Sequence, residues 1–442
     1  MDRYKVKKAV KPLDICVSVP GSKSITNRAL LMAAMAEGTT VLKGVQFSED
    51  SSNFLKALRD MGFQVDVNSQ DNVVTIEGEG GDIPLKQAKI YVGSAGTAAR
   101  FLTAFAAMSD GEYILESSEQ MKKRPMEELL TALEELGASF EWLENDYSFP
   151  MKVRGVRVNS ENDFSDRVIE LNIDKSSQFL SALLMTAPLV FESVIIEMTG
   201  TRSARSYVEM TEQMMKLFGH SGVDKLDGDR YMVKKSAYKG RVYQIEPDVS
   251  AACYFYAMAA VTGGKAVVRH MRKDSLQGDM KFIYTLEKMG CRLEWFEDED
   301  GEQLRLYAPE NNKLSGIDLS MSDFSDQVLT LAAIAPFAED KVSIHGVSHI
   351  RGQESDRIKV IVTELARMGI KCEEYEDGVT IYPGKTSKAS IETYNDHRVA
   401  MSFAVTGLVS GDIEIMNPMC CSKTFKEYFE VLDTILQCSF KS

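Results

Sequence analysis

The chain lacks a basic excess: its 442 residues carry 51 lysines and arginines against 65 aspartates and glutamates, a formal charge of −14. Nucleic acid and anionic membranes both call for a basic face, so neither is expected as a partner. No run of about 20 apolar residues occurs, which leaves no candidate membrane span. The start, Met1-Asp2-Arg3-Tyr4-Lys5, has no signal-peptide core, and a soluble cytoplasmic protein is expected. Cysteine is sparse: Cys16, Cys253, Cys291, Cys372, Cys420, Cys421 and Cys438 are scattered, odd in number and mostly set among apolar residues. That pattern suits reduced thiols rather than a disulfide framework. Metal-ligand spacing is confined to His345 and His349, which adjoin a strand-like Ser343-Ile344 and a turn at Gly346 without a carboxylate pair, so no metal site is expected. Gly78-Glu79-Gly80-Gly81 lacks the strand-to-helix setting of a dinucleotide loop and reads as a turn.

What the chain does have is a recurrent phrase. Six alanine-rich apolar stretches are each introduced by polar residues: Pro20-Gly21-Ser22-Lys23-Ser24-Ile25-Thr26-Asn27-Arg28, Gly93-Ser94-Ala95-Gly96-Thr97, Asp174-Lys175-Ser176-Ser177-Gln178, Glu246-Pro247-Asp248-Val249-Ser250, Asp323-Phe324-Ser325-Asp326-Gln327 and Tyr394-Asn395-Asp396-His397-Arg398. A helix apolar around its whole circumference is buried, and its free N–H groups and positive dipole end suit an anion. Six such starts predict an anion-binding cleft.

A second, amphipathic helix type alternates with the first and ends in glycine: Phe54 to Gly62, Leu129 to Gly137, Met210 to Gly219, Phe282 to Gly290 and Ile361 to Gly369. Glycine supplies the C-cap, and short alternating stretches such as Cys291-Arg292-Leu293-Glu294-Trp295 follow as strands. The predicted repeat is strand, buried helix, strand, exposed helix, strand, and a chain of this length predicts two lobes.

Read singly, the polar motifs are ambiguous. Lys23 lies in a Gly-Ser-Lys-Ser loop at a helix head, suited to an anion or to a solvated cap. Lys122-Lys123-Arg124 reads as a wet loop, Ser176-Ser177 as an ordinary cap, and Asp326, Glu354, Asp356 and Arg357 as surface ion pairs. Their joint order is specific. Pro20-Gly21-Ser22-Lys23-Ser24 with Arg28, Gly96-Thr97-Ala98-Ala99-Arg100, Arg124-Pro125-Met126, Ser176-Ser177-Gln178, Gln277-Gly278-Asp279, Glu354-Ser355-Asp356-Arg357, Asn395-Asp396-His397-Arg398 and Lys423-Thr424-Phe425 occur in this order. From near residue 10 to the C-terminus the chain resembles the 5-enolpyruvylshikimate-3-phosphate synthase family.

The resemblance implies an α/β fold of two lobes, each with three βαβαββ-like repeats. The C-terminal lobe would comprise 1–20 and 245–442, the N-terminal lobe 21–244, with the active site in the cleft. It implies transfer of the enolpyruvyl group of phosphoenolpyruvate to the 5-hydroxyl of shikimate 3-phosphate, with no cofactor, a monomeric chain, and glyphosate as inhibitor. The implied catalytic residues are Lys23, Asp326, Glu354, His397 and Lys423. Phosphoenolpyruvate falls to Lys23, Gly96, Arg124, Gln178, Arg357, Arg398 and Lys423. Shikimate 3-phosphate falls to Lys23, Ser24, Arg28, Ser176, Ser177, Gln178, Arg205, Tyr207, Asp326 and Gln353. The sequence departs from the commoner pattern at Ser94, Phe101, Ala204 and Gln353, the last replacing a lysine; Arg202 or Arg205 would restore charge near Ala204. Two alternatives remain: an enolpyruvyl transferase acting on UDP-N-acetylglucosamine, which usually carries a cysteine before the arginine-proline motif, and an inactive phosphate-sugar-binding relative.

Overall fold

Each of the six polar phrases leads into a buried helix: Lys23–Met35, Gly96–Ala107, Gln178–Thr186, Val249–Thr262, Val328–Ile334 and His397–Ser410. The structure, a computed structural model, describes residues 2–158, 164–200, 205–298 and 301–441. Burial follows the composition, and in Gly96–Ala107 every residue is buried. Five amphipathic helices alternate with these: Glu49–Asp60, Glu127–Glu135, Arg205–Leu217, Met280–Lys288 and Arg357–Arg367. The glycine that ends each, from Gly62 to Gly369, has a φ between 80° and 106°, the left-handed turn that a side chain would resist.

Among the described residues the strands form six sheets, and one of them shows the rule. Gln87–Tyr91 runs parallel to Glu112–Glu116 across the buried helix Gly96–Ala107. Glu112–Glu116 then pairs antiparallel with Met151–Arg154, which pairs with Ser139–Trp142. The repeat is thus strand, buried helix, parallel strand, outer helix and hairpin. Sequence periodicity predicted one closing strand; the structure adds a second, Met151–Arg154, of the same length as the first.

The chain divides into two compact units, residues 1–22 with 246–442, and residues 23–245. Each has a strand from outside its local sequence. In the composite unit, Asp14–Val17 lies parallel to Lys265–Val268, and Arg3–Val6 closes antiparallel on Ile413–Met416. In the 23–245 unit, Val242–Gln244 runs parallel to Val41, Leu42 and Lys43. Within the composite unit the two ends of the passage lie side by side: Ser22 N–H donates to Glu246 O at 2.7 Å and Asp248 N–H to Pro20 O at 2.8 Å. Gln277 clamps this point, its Nε2 donating to Pro247 O at 2.8 Å and Glu246 Oε2 at 3.1 Å.

Gly78 belongs to a strand, Val73–Glu79, rather than a turn, and the turn begins after it. A Cβ there would collide with the carbonyl oxygens of Ala33 and Ala36, so glycine lets the strand lie against the end of the first buried helix. Among the described residues no two cysteines form a disulfide. Among the described residues no helix is long and apolar enough to cross a membrane.

Candidate active site

The predicted residues of the 23–245 unit form a cationic set with few acids. Lys23 opens the first buried helix, and its Nζ lies 3.5 Å from Asp50 Oδ2. Five residues on, Arg28 points into the interior and is 1% exposed. Its Nε donates to Thr211 Oγ1 at 2.8 Å, Nη2 to Ser181 Oγ at 3.1 Å and Nη1 to Ser24 O at 3.1 Å, while the guanidinium lies 5.4 Å from the Phe101 ring centroid. Among the described residues no carboxylate pairs with it. Burial therefore lowers its pKa to about 10, with Tyr207 acting the other way.

Arg100 and Arg124 converge on Gly96. Arg100 donates to Gln178 Oε1 at 2.6 Å and to Pro125 O at 2.8 Å, and Arg124 to Ser94 O at 3.2 Å. Ser94 holds this arginine with its backbone, so the side-chain difference from the commoner pattern leaves the contact intact. A Cβ on Gly96 would lie 2.7 Å from Arg100 Nη1 and from Arg124 Nη2. Glycine is therefore what lets two guanidinium groups share this helix start. Ser176 Oγ accepts from Gln178 N–H at 3.3 Å, and both Ser176 and Ser177 are buried. Tyr207 is half-buried on the helix Arg205–Leu217, where its carbonyl accepts from Thr211. The Arg205 side chain, Arg202 and Ala204 lie outside the described residues.

In the composite unit, acids and cations are instead matched. Asp396 is fully buried and caps the helix His397–Ser410 by accepting Arg398 N–H at 3.0 Å. It also takes Arg357 in bidentate fashion, Nε at 2.8 Å and Nη2 at 3.2 Å, and the Ser355 hydroxyl at 3.0 Å. Burial opposes its ionisation, yet the facing Arg357 holds the carboxyl below the usual range. The third nitrogen of Arg357, Nη1, reaches Asp326 Oδ1 at 3.4 Å and bonds Gln353 Oε1. Arg398 grips Asp326 from another side, with Nη2 2.8 Å from Oδ2 and Nη1 3.2 Å from its carbonyl oxygen.

Glu354 has a different escort. Its Oε2 lies 3.1 Å from His397 Nδ1 and 3.4 Å from Lys423 Nζ, and Lys423 also donates to Asn395 O at 3.1 Å. Two carboxylates in one unit thus have different neighbours, Asp326 two guanidinium groups and Glu354 an imidazole and an ammonium group. Glu354 also lines a cavity of about 330 Å³ with Ser355, Asp356, Lys359 and Tyr394.

Glu354, Asp396 and His397 offer ligand atoms within 4.8 Å of one another. Arg357 and Lys423 already neutralise these carboxylates, and a metal ion would have to displace them, so the donor set does not suit one. His345 turns to Asp318 and His349 to Ser325, which separates the spaced pair. The expectation that all six helix starts stand open to an anion needs correction. Asp248 and Asp396 occupy two of them as caps.

The sequence matches the EPSP synthase (3-phosphoshikimate 1-carboxyvinyltransferase) family over residues 7–432. The chain belongs to this family. It is 45% identical over 430 residues to the 3-phosphoshikimate 1-carboxyvinyltransferase of Trichormus variabilis, covering 97% of this chain and 98% of that protein. The chloroplastic enzyme of that name from Arabidopsis thaliana is 38% identical, covering 97% and 84%. An EPSP synthase structure from Acinetobacter baumannii superposes with a TM-score of 0.80 at 27% identity, covering 98% of both chains. The expected two-lobed α/β fold class of this family is therefore the observed one.

Three contributors carried no role in the sequence reading: Arg100 and Asp396, which lie inside quoted motifs, and Asp50. The signal for Asp396 was its place between Asn395 and the His397-Arg398 pair. Asp50 had none, because its contact with Lys23 crosses a strand and a turn.

Proposed function

We propose that this protein transfers the enolpyruvyl group of phosphoenolpyruvate to the 5-hydroxyl of shikimate 3-phosphate and releases phosphate. The hydroxyl oxygen attacks C2 as its proton passes to Asp326, while C3 takes a proton from Glu354 and becomes a methyl group. The tetrahedral adduct then loses a C3 proton and phosphate, leaving a vinyl ether. His397 serves Glu354 as proton partner, and Lys23 and Lys423 offset charge on the departing phosphate.

Phosphoenolpyruvate is assigned to Lys23, Gly96, Arg124, Gln178, Arg357, Arg398 and Lys423. Shikimate 3-phosphate is assigned to Lys23, Ser24, Arg28, Ser176, Ser177, Gln178, Arg205, Tyr207, Asp326 and Gln353. Each compact unit contributes residues to these assignments. We assign the protein to the cytoplasm as a monomer, open to glyphosate competing with phosphoenolpyruvate.

The observation that carries the reading is the differential setting of the two carboxylates, Asp326 under Arg357 and Arg398 and Glu354 beside His397 and Lys423. Acid and base work in one site requires that difference. The absence of any cysteine between Cys16 and Cys253 favours the shikimate substrate over the UDP-sugar. Phosphate release from phosphoenolpyruvate tests the choice: release with shikimate 3-phosphate and none with UDP-N-acetylglucosamine is expected. The reverse preference would reassign the substrate, and release with neither would leave a binding protein.

A further inference from the structure

Asp279 is a buried acid that the roles proposed above leave unused. It ends the phrase Gln277-Gly278-Asp279, whose glutamine clamps the chain passage, and it is 6% exposed. Its Oδ2 accepts from Gln327 Nε2 at 2.9 Å and from the Ser250 hydroxyl. Both donors lead to the acid–base cluster. Ser250 Oγ also accepts from Arg398 Nη2 at 3.4 Å, and Gln327 follows Asp326 in the same turn, Ser325–Gln327.

The ionisable groups around Asp279 come from several elements. Asp326 lies on that turn, Arg398 on the helix His397–Ser410, and Cys253 on the helix Val249–Thr262, with its thiol 3.7 Å from Asp279 O. Asp248 caps that last helix, Arg357 holds the other side of Asp326, and Lys281, two residues on, turns to Asp323 at 2.7 Å. Burial first, then the charge of Asp326, push the Asp279 carboxyl up to about 6 against the pull of Arg398. An acid kept for packing alone would be served as well by an amide. This one takes neutral donors and shares its nearest cation with Asp326.

We propose that Asp279 is a positioning residue for the reaction: through Ser250 and Gln327 it orients Arg398 and Asp326, and its negative charge makes Asp326 a stronger base. The second half rests on the reading of Asp326 as acceptor of the hydroxyl proton. A like charge nearby raises a carboxylate's proton affinity, and two coupled carboxylates lose their protons in two separated steps.

The test is a carboxyl-carbon NMR titration of the full chain labelled with ¹³C-aspartate, with Asp326 assigned through Asp326→Asn. In wild type the Asp326 resonance should follow two steps. In Asp279→Asn it should keep the lower step and lose the upper one, at the pH where Asp279 titrates, and the part of the acid limb of kcat that follows that upper step should go with it while KM for shikimate 3-phosphate changes little. An Asp326 titration that is unmoved in Asp279→Asn overturns the proposal. Should that variant not fold, Ser250→Ala removes a donor to the Asp279 carboxylate, and the upper step in the Asp326 resonance should move to higher pH; no shift overturns it equally. The titration uses no substrate, so absence of turnover in wild type would overturn the reaction reading while the titration still decides the coupling.

Discussion

Arg28 shows at the scale of one residue what burying a cation costs. The guanidinium is buried among hydroxyls, a carbonyl and an aromatic ring, and its pKa falls to about 10. Because a cation's pKa is lowered on folding, the charge destabilises the free protein throughout the range below about 10, by about 3 kcal/mol at neutral pH. The cost fades only as pH rises above about 10. Thr211 and Ser181 also bond each other at 3.0 Å, so they keep a partner when the arginine is removed. Arg28→Met is expected to raise the Tm of ligand-free protein and to weaken shikimate 3-phosphate binding by tenfold or more, since a lost bond to a charged group is worth about 1.5–3 kcal/mol. Calorimetric melting and titration check both; a lowered Tm would mean that the arginine is structural. Gly96 gives a second case. A methyl there meets the movable tips of Arg100 and Arg124 rather than backbone, so Gly96→Ala should fold normally. It should raise KM for phosphoenolpyruvate by roughly tenfold and weaken glyphosate, the longer ligand, by more. Equal losses in steady-state kinetics would show that Gly96 is no selective gate.

The helix start is the element that organises this chemistry. At Asp396 one carboxylate caps a helix and neutralises a buried arginine, so removing it strands Arg357. Asp396→Ala should cost about 3–5 kcal/mol at pH 7, the usual penalty for breaking a buried pair. The sign with pH follows from its depressed pKa. The stabilisation is complete above the ordinary value of 3.8 and is lost as pH falls through the lower folded value. Denaturant midpoints of wild type and variant should therefore converge below about pH 4; a constant gap would contradict the ion pair. Much at this scale was legible in the sequence: alternating buried and amphipathic helices, the glycines that stop the latter, and the polar phrases that start the former. Self-capping by Asp248 and Asp396 was not, because a cap and an anion site use the same residue types and differ only in where a side chain turns.

Across the whole molecule the two compact units differ in their charge pattern. Residues 23–245 hold Lys23, Arg28, Arg100 and Arg124 with few acids, whereas the composite unit sets Asp326, Glu354 and Asp396 against cations, Arg357 being shared by Asp326 and Asp396. The motif order made both sets legible, and their pairing was hidden, since Arg28 meets Thr211 and Arg398 meets Asp326 across separations that periodicity does not reach. No step needs a metal, and activity should survive exhaustive chelation; loss restored by one divalent ion would overturn that expectation. The most direct test of addition and elimination is proton NMR of the reaction in D₂O with phosphoenolpyruvate and shikimate 3-phosphate. Addition places a solvent deuteron on C3, and elimination removes one of its three hydrogens, so the product's vinyl signals should fall below full two-proton intensity. Product formed with undiminished vinyl intensity, or no enolpyruvyl product at all, would contradict the assignment.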